Sequence, residues 1–129
     1  MFQSLFSKNS TSQDFTFSLS PQQERGIHEF ISGNDTFVSL PTGHGKSLIY
    51  QLAIPVVKKL SHDNNFKDKH FPNSPLLLVV SPLQALVSDQ IKSCEGLGLS
   101  YAKLEDVENV ITTDLVFTSP EPEMLFWRE

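Results

Sequence analysis

The 129-residue chain has little of what disulfide-rich, multi-cysteine metal or membrane-spanning proteins require. It contains one cysteine, Cys94, which excludes an internal disulfide and a metal site built from several cysteines. The longest apolar run covers residues 76–80 and is far too short to cross a bilayer. No apolar segment of the secretory type opens the chain, and one basic side chain lies before Arg25, so no secretion or mitochondrial signal is indicated.

Basic residues are also scarce. The sequence has 10 Lys and Arg and 15 Asp and Glu, so the net charge is -5, and any contact with nucleic acid must be local. A chain of this length with 39% hydrophobic residues can bury one compact core. Within that core Cys94 is expected to be a small buried hydrophobe rather than a nucleophile.

Residues 36–51 have the organisation of a phosphate-binding loop. Residues 36–40 are β-branched or apolar with one serine, which predicts a short buried strand. The loop that follows reads Pro-Thr-Gly-His-Gly-Lys-Ser, and the apolar spacing after it predicts a helix. Strand, glycine-rich turn and helix are the context that a P-loop requires. An ordinary glycine-rich turn with an exposed lysine is the alternative.

The chemistry of polyphosphate binding explains the residue types in this loop. Gly43 and Gly45 can adopt positive φ and carry no Cβ to hold a phosphate away. Backbone N–H groups of the turn and of the new helix can converge on the anion. Lys46 can reach the β- and γ-phosphates, and the Ser47 hydroxyl can complete a Mg²⁺ shell. His44 is expected to face solvent, since the phosphate contacts there would come from the backbone.

Residues 1–14 are predicted to form a disordered tail, and a helix is predicted to follow at Ser20. Ser20 is the expected N-cap, with proline at the first helical position and Gln23 at the third. The helix is expected to end at residues 32–35. Its predicted buried face consists of Ile27, Phe30 and Ile31.

The helix after the loop meets Pro55, which predicts a kink or a new segment near Ile54. Residues 61–75 show no periodicity and are predicted to be a surface loop. A metal site is the weaker alternative for this loop because no ligand spacing recurs. Its potential ligands are His62, Asp63, Asp68 and His70.

Strands alternate with helices in the second half of the chain. Strands are predicted at 76–80, buried on both faces, at 100–104 and at 115–118. The helix between the first two is predicted to start with a capping box at Ser81, to bury one apolar face, and to end at Gly96 and Gly98. That face consists of Leu83, Leu86, Val87 and Ile91. The alternation predicts an α/β fold with a mostly parallel sheet and helices on both faces.

Several motifs in this order resemble the start of RecQ-type ATP-dependent DNA helicases, a DEAD/DEAH-box-like family. They are Pro-x-Gln ending at Gln23, Ser-Gly-x-Asp, Pro-Thr-Gly-x-Gly-Lys-Ser-Leu, and then Tyr-Gln and Pro. Val-Val-Ser-Pro-Leu from residue 79, with Leu86 and Asp89-Gln90-Ile91, looks like the family's motif Ia. Ser-Pro-Glu from residue 119 is similar to its next DNA-side motif.

The resemblance implies a partial three-layer RecA-like P-loop NTPase domain over residues 15–129. It implies an ATP-driven motor that moves 3′ to 5′ on DNA and separates the duplex, with ATP and Mg²⁺ as cofactors. Gln23 would read the adenine edge, and Lys46 and Ser47 would act in catalysis, with Ser47 as the metal ligand. The nucleotide contacts would be completed by Pro41, Thr42, Gly43, His44 and Gly45.

The resemblance also assigns DNA contacts to two strand ends. The DNA-contacting residues would be Ser81, Pro82, Gln84, Ser119 and Pro120. Hydroxyls and backbone N–H groups suit phosphate without net positive charge, although simple helix capping would explain each Ser-Pro pair as well. The expected DNA partner is a single strand and a duplex junction. A nuclear location is expected in a eukaryote and a cytoplasmic one otherwise.

Some positions depart from the family pattern. Ser20 stands where an arginine is usual, Pro122 replaces a common arginine, and no Asp-Glu-x-His box occurs up to Glu129. We therefore expect an N-terminal part of such a helicase, without the second RecA-like domain. A catalytically silent ATP- or DNA-binding module acting through a partner is the alternative. A P-loop kinase is less favoured, because its lid needs arginines and only Arg25 and Arg128 are present.

Overall fold

The computed structural model describes residues 18–82, 84–107 and 112–120, and the chain forms two compact units. The first unit is Met1–Asn73 and the second is Ser74–Glu129. The described part of the first unit contains two α-helices and a 3₁₀ segment; that of the second contains three strands, one α-helix and a short 3₁₀ turn. The predicted tail at 1–14 lies outside the described residues.

Helix α1 (Pro21–Ile31) begins as the sequence predicts, with a complete capping box. The Ser20 hydroxyl accepts the Gln23 N–H at 3.2 Å, and the Gln23 side-chain oxygen accepts the Ser20 N–H at 3.0 Å. Ile27 is fully buried as predicted, but Phe30 is 40% exposed, so the predicted buried face is wrong at that position. Helix α1 instead makes a close contact through Gly26, where an added Cβ would lie 3.3 Å from the Ile49 side chain.

Helix α2 (Lys46–Ser61) is a single helix with Pro55 inside it, so the predicted new segment near Ile54 is wrong. Proline in a helix interior costs about 3 kcal/mol because it removes a hydrogen bond and crowds the preceding turn. Each buried aliphatic side chain contributes about 1.5–3 kcal/mol. Leu52, Ile54 and Val56 are all 3% exposed or less, so burial outweighs the proline.

The predicted loop at 61–75 contains a 3₁₀ segment, Asn64–Lys69, and is therefore more ordered than its composition suggests. Asp63 caps this segment by accepting the Asn65 N–H at 2.9 Å. Among the described residues, no group of three or more His, Cys, Asp or Glu side chains is placed to hold a metal ion.

The predicted buried strand at 36–40 is wrong. No strand is assigned there, and Phe37 is 95% exposed. A strand requires a neighbour for its backbone N–H and C=O groups, and the described residues provide no ladder partner for this segment. Composition identified a segment with the right residue types but could not show whether a neighbour is present.

The second unit contains a parallel three-stranded sheet, which confirms the predicted parallel pairing. Strands β1 (Leu77–Val80), β2 (Tyr101–Lys103) and β3 (Leu115–Thr118) lie in the order β1-β3-β2. The central strand β3 is buried along its first three residues. Strand β1 lies at an edge and alternates, with Leu78 57% and Val80 56% exposed, so predicted burial on both faces is wrong for β1.

Helix α3 (Gln84–Gly96) buries Val87 and Cys94, as predicted, but leaves Leu86 47% exposed. Leu83 falls outside the described residues. The helix begins at Gln84, three residues after Ser81, and Pro82 is not helical, so the predicted start with Ser81 as N-cap is wrong. The helix ends in a Schellman motif: the Leu99 N–H donates to the Cys94 carbonyl, and the Gly98 N–H donates to that of Glu95. Gly98 has φ +68°, which explains the glycine there. The chemical inertness of Cys94 stays a prediction.

Tyr101 provides a pH-dependent contact in this unit. Its hydroxyl donates to the Glu95 carboxylate at 2.6 Å, and this hydrogen bond, with some desolvation, raises the pKa of Tyr101 above 10.0. The stabilisation that this hydrogen bond gives the folded chain is therefore present below the pKa of Tyr101 in the unfolded chain. It is lost as pH rises through the pKa of Tyr101 in the folded chain. We expect Glu95→Gln to lower the pKa of Tyr101, measured by phenolate absorbance in a Tyr50→Phe background, where Tyr101 is the sole tyrosine. An unchanged titration midpoint would contradict the contact.

Candidate functional site

The predicted phosphate-binding loop at 41–47 forms a tight turn followed directly by α2. The turn is closed by the His44 N–H, which donates to the Pro41 carbonyl at 3.2 Å. Gly43 has φ +83° and Gly45 has φ +77°, so the positive φ predicted for both is confirmed. The side chain of His44 is exposed, as predicted.

The N-terminus of α2 presents unpaired backbone donors. Gly45 is its N-cap, in the left-handed conformation, and provides no side-chain hydrogen bond. Within the described residues, no backbone acceptor is found for the N–H groups of Gly45, Lys46 and Ser47. No acidic residue lies in the first turn of the helix. Donors at the positive end of a helix dipole, with no acidic side chain in the first turn, form a site suited to an anion.

The side chains around these donors are accessible. Thr42 and Lys46 are exposed and Ser47 is half-buried. An ammonium group and a hydroxyl therefore stand at the same helix end as the backbone donors. The arrangement fits a phosphate that carries a divalent cation, because the lysine can neutralise charge while the hydroxyl oxygen remains available to a metal.

Gln23 reaches this loop from the start of α1. Its side-chain nitrogen donates to the Gly45 carbonyl at 3.2 Å and to the His44 carbonyl at 3.4 Å. Its side-chain oxygen accepts the Ser20 N–H, and the residue is only 8% exposed. Both ends of the amide are thus engaged within the protein, and adenine reading by Gln23 stays a prediction that would require it to exchange these partners.

The packing of Gln23 also constrains Gly45. A Cβ at Gly45 would collide with the side-chain nitrogen of Gln23, whereas a Cβ at Gly43 would meet nothing within 4 Å. The backbone conformation favours glycine at position 45, and a larger residue there would also displace the amide of Gln23. The spacing of Ser20 and Gln23 predicts the capping box, but no local signal indicates the contact of Gln23 with a loop 21 or 22 residues further along the chain.

The contact between Gln23 and the loop can be separated from the capping box by substitution. Gln23→Glu keeps an oxygen for the Ser20 N–H but places a carboxylate oxygen against the carbonyls of His44 and Gly45. We expect it to lower the free energy of unfolding by about 1–3 kcal/mol and to weaken nucleotide binding severalfold. Urea denaturation and calorimetric titration measure the two effects.

Ser20→Ala is the matched control, because it removes the capping hydroxyl and leaves the amide of Gln23 in place. It should cost about 1 kcal/mol of stability with little change in nucleotide affinity. Equal reductions of nucleotide affinity in the two variants would contradict a separate contact between Gln23 and the loop.

The predicted DNA-contacting residues lie together at one edge of the sheet in the second unit. Strands β1 and β3 run parallel with Val80 paired to Thr118, so both Ser-Pro pairs leave the sheet at its carboxyl edge. The Ser81 N–H donates to the Thr118 carbonyl at 2.9 Å. The side chains differ in access: Ser81 is 5% exposed and Ser119 half-buried, while the exposed ones are Pro82, Gln84 and Pro120.

Comparison with known proteins agrees with the motif analysis. Residues 20–121 match the family model of the DEAD/DEAH box helicase. The chain is 42% identical over 96 residues to human "ATP-dependent DNA helicase Q4", covering 67% of this chain. It is 38% identical over 84 residues to a "Putative ATP-dependent DNA helicase Q1" of Caenorhabditis briggsae, and 31% over 112 residues to rat "ATP-dependent DNA helicase Q5", covering 65% and 82% of this chain.

These matches cover only 7%, 11% and 10% of the three relatives, so the chain spans about a tenth of their length. Among the described residues, no helix has the length and apolar character needed to span a membrane. The matched region includes the loop at 41–47 and both predicted DNA-side motifs. The chain therefore belongs to the DEAD/DEAH box helicase family and is similar to its RecQ-like members.

Proposed function

We propose that this chain is the nucleotide-binding and DNA-contacting part of an ATP-dependent DNA helicase that moves 3′ to 5′. The observation that carries the proposal is the loop at 41–47, with two left-handed glycines and unpaired N–H groups at the start of α2. The similarity to RecQ-like helicases supports DNA as the substrate. Access to DNA would place the protein in the nucleus of a eukaryotic cell or the cytoplasm of a bacterium.

Bound ATP would supply the γ-phosphoryl group, and Mg²⁺ would offset negative charge on its phosphates. The backbone N–H groups of Gly45, Lys46 and Ser47 would hold the phosphate chain. The Lys46 ammonium would offset the charge on the terminal phosphate, and the Ser47 hydroxyl would contribute to the Mg²⁺ shell. The loop residues from Pro41 to His44 would complete the site through their backbone, and Gln23 would support the loop or exchange partners to meet the adenine.

DNA would contact the carboxyl edge of the sheet. Ser119 and Gln84 have hydroxyl and amide groups that can bond phosphate or sugar, and Pro82 and Pro120 offer apolar surface. Ser81 would contribute mainly by fixing the backbone, since it is 5% exposed. Such contacts are independent of base sequence, which suits an enzyme that moves along a strand.

Phosphoryl transfer needs more positive charge than this loop contains. In the transition state, charge spreads over the γ-phosphoryl oxygens, and an arginine finger is worth about 10³–10⁵ in rate in related hydrolases. In the whole helicase we assign that group to a second RecA-like domain, and metal holding and water activation to an Asp-Glu-x-His box. The 129-residue chain alone should therefore bind its ligands with negligible turnover.

The test is binding of labelled oligo-dT by fluorescence anisotropy, with and without a non-hydrolysable ATP analogue and Mg²⁺. We expect the nucleotide to change DNA affinity by about 5–150-fold, the usual range of coupling between two sites. Lys46→Ala should keep DNA binding and lose the effect of nucleotide. Phosphate release should not rise on adding DNA.

Absence of DNA binding in every nucleotide state would reject the proposal. DNA-stimulated phosphate release that disappears in Lys46→Ala would show instead that the chain obtains the remaining catalytic groups from another copy of itself or from an acid not identified above.

A further inference from the structure

Positive charge is concentrated in one segment of this acidic chain. Residues 58–70, which we call the basic patch, hold four of the ten basic residues and only two aspartates. The lysines are Lys58, Lys59, Lys67 and Lys69, of which the last three are exposed and Lys58 is half-buried. Because the Debye length at physiological salt is about 8 Å, a ligand at this patch responds to these lysines more than to acids elsewhere.

The first half of the basic patch lines a groove in the first unit, and this groove has a volume of about 520 Å³. It is lined by Lys58, Lys59, His62, Asp63 and Asn73. The Ser61 hydroxyl and the His62 Nδ1 lie 2.8 Å from the Lys58 carbonyl, so both donate to it. These bonds satisfy a carbonyl at the end of α2 and fix the backbone that carries the two lysines.

The second half of the basic patch is the 3₁₀ segment, and local contacts hold it in place. The Asp63 carboxylate accepts the Asn65 N–H, so one of the two acids is engaged by the backbone. The Lys69 ammonium lies 6.0 Å from the centre of the half-buried Phe66 ring, within range of a cation–π contact. The lysines are therefore presented from ordered backbone rather than from a structureless loop.

We propose that the basic patch binds the sugar–phosphate backbone of DNA. This contact is separate from the nucleotide site at 41–47 and additional to the DNA contacts proposed at the carboxyl edge of the sheet. This rests on the proposed function, because DNA is the polyanion that a helicase meets. Lysine ammonium groups bind phosphate as point charges and do not read base identity, so the contact is independent of sequence. Its signature is a dependence of affinity on salt concentration.

The experiment is a salt titration of the full 129-residue chain with a labelled DNA duplex that carries a single-stranded tail. The two variants are Lys58→Gln/Lys59→Gln and Lys67→Gln/Lys69→Gln. The slope of log affinity against log salt concentration is negative. Removing one lysine–phosphate interaction should reduce the magnitude of this slope by about 0.7–0.9, so each pair of substitutions should reduce it by about 1.4–1.8. Circular dichroism checks that both variants remain folded.

Lys92→Gln/Lys103→Gln is the matched control, since it removes two exposed lysines outside the basic patch with the same change in net charge. Its slope should stay at the wild-type value. Equal slopes in the patch variants and wild type, or an equal fall in the control, would overturn the proposal while leaving the proposed function intact.

Two other outcomes would also reject it. A wild-type chain that binds no DNA at any salt concentration would overturn the proposed function together with this contact. Binding of poly-glutamate that depends on the four lysines, without binding of DNA, would assign the basic patch to acidic polypeptides instead.

Discussion

Replacing Lys46 with alanine is expected to abolish ATP binding by this chain. Lys46 is the exposed cation at the start of α2, beside unpaired backbone donors. A hydrogen bond to a charged group contributes about 1.5–3 kcal/mol, which is a factor of about 10–100 in affinity. Wild-type affinity of these 129 residues is itself expected to be weak, because they contain no Asp-Glu-x-His box and because Ser20 stands where the resemblance leads us to expect arginine. The further reduction would take binding below detection.

Calorimetric titration of ATP or ADP with Mg²⁺ measures this effect. Lys103→Ala is the matched control, because it removes one exposed lysine from the second unit and changes the net charge by the same amount as Lys46→Ala. The nucleotide affinity of this control should equal that of the wild type. Equal nucleotide affinity in Lys46→Ala and the wild type would reject the assignment of the 41–47 loop as the phosphate site.

Gly45→Ala is expected to destabilise the chain by about 3–4 kcal/mol and to weaken nucleotide binding. A residue with a Cβ costs about 1–2 kcal/mol in the left-handed region, and Gly45 has φ +77°. The new Cβ would also displace the amide of Gln23 and break its two hydrogen bonds to the loop, each worth about 1 kcal/mol.

Gly43→Ala separates these two causes. Gly43 has φ +83°, so alanine meets the same backbone strain, but a Cβ there would contact nothing within 4 Å. Urea denaturation should therefore show a destabilisation of about 1–2 kcal/mol for Gly43→Ala, smaller than for Gly45→Ala. Equal destabilisation in the two variants would show that the amide of Gln23 contributes nothing to the requirement for glycine.

Elements whose signals are local could be predicted from the sequence. The capping box at Ser20 and Gln23 involves residues three positions apart, so the pattern itself defines the start of α1. The C-terminal end of α3 at Gly98 is equally local, because the glycine provides the left-handed conformation that the Schellman motif needs. Strand β3 could be predicted at its observed bounds because a run of apolar residues lies between polar ones.

Features that depend on neighbours could not be predicted. The apolar runs at 76–80 and 115–118 look alike, yet only the central strand β3 is buried along most of its length, since position within the sheet is set by long-range pairing. The segment at 36–40 has strand composition without a strand partner among the described residues. Pro55 remains inside α2 because the burial of its neighbours outweighs a local cost that the sequence alone shows.

In the candidate site, too, the features with local signals could be predicted and those that depend on distant residues could not. The backbone conformations of Gly43 and Gly45 could be predicted because phosphate chemistry demands them locally. The engagement of Gln23 with the carbonyls of His44 and Gly45 could not, since it joins two segments more than twenty residues apart. Spacing between motifs indicates that such segments belong to one site, but it does not specify which atoms meet.

The position of β1 at the edge of its sheet has a consequence for handling the protein. One side of β1 pairs with β3, and among the described residues no strand covers the other side. An uncharged edge strand with exposed Leu78 and Val80 is a template for adding strands from other molecules, so aggregation should increase with protein concentration. Pro75 and Pro82 stand at either end of this run and act as gatekeepers that keep the aggregation-prone segment short.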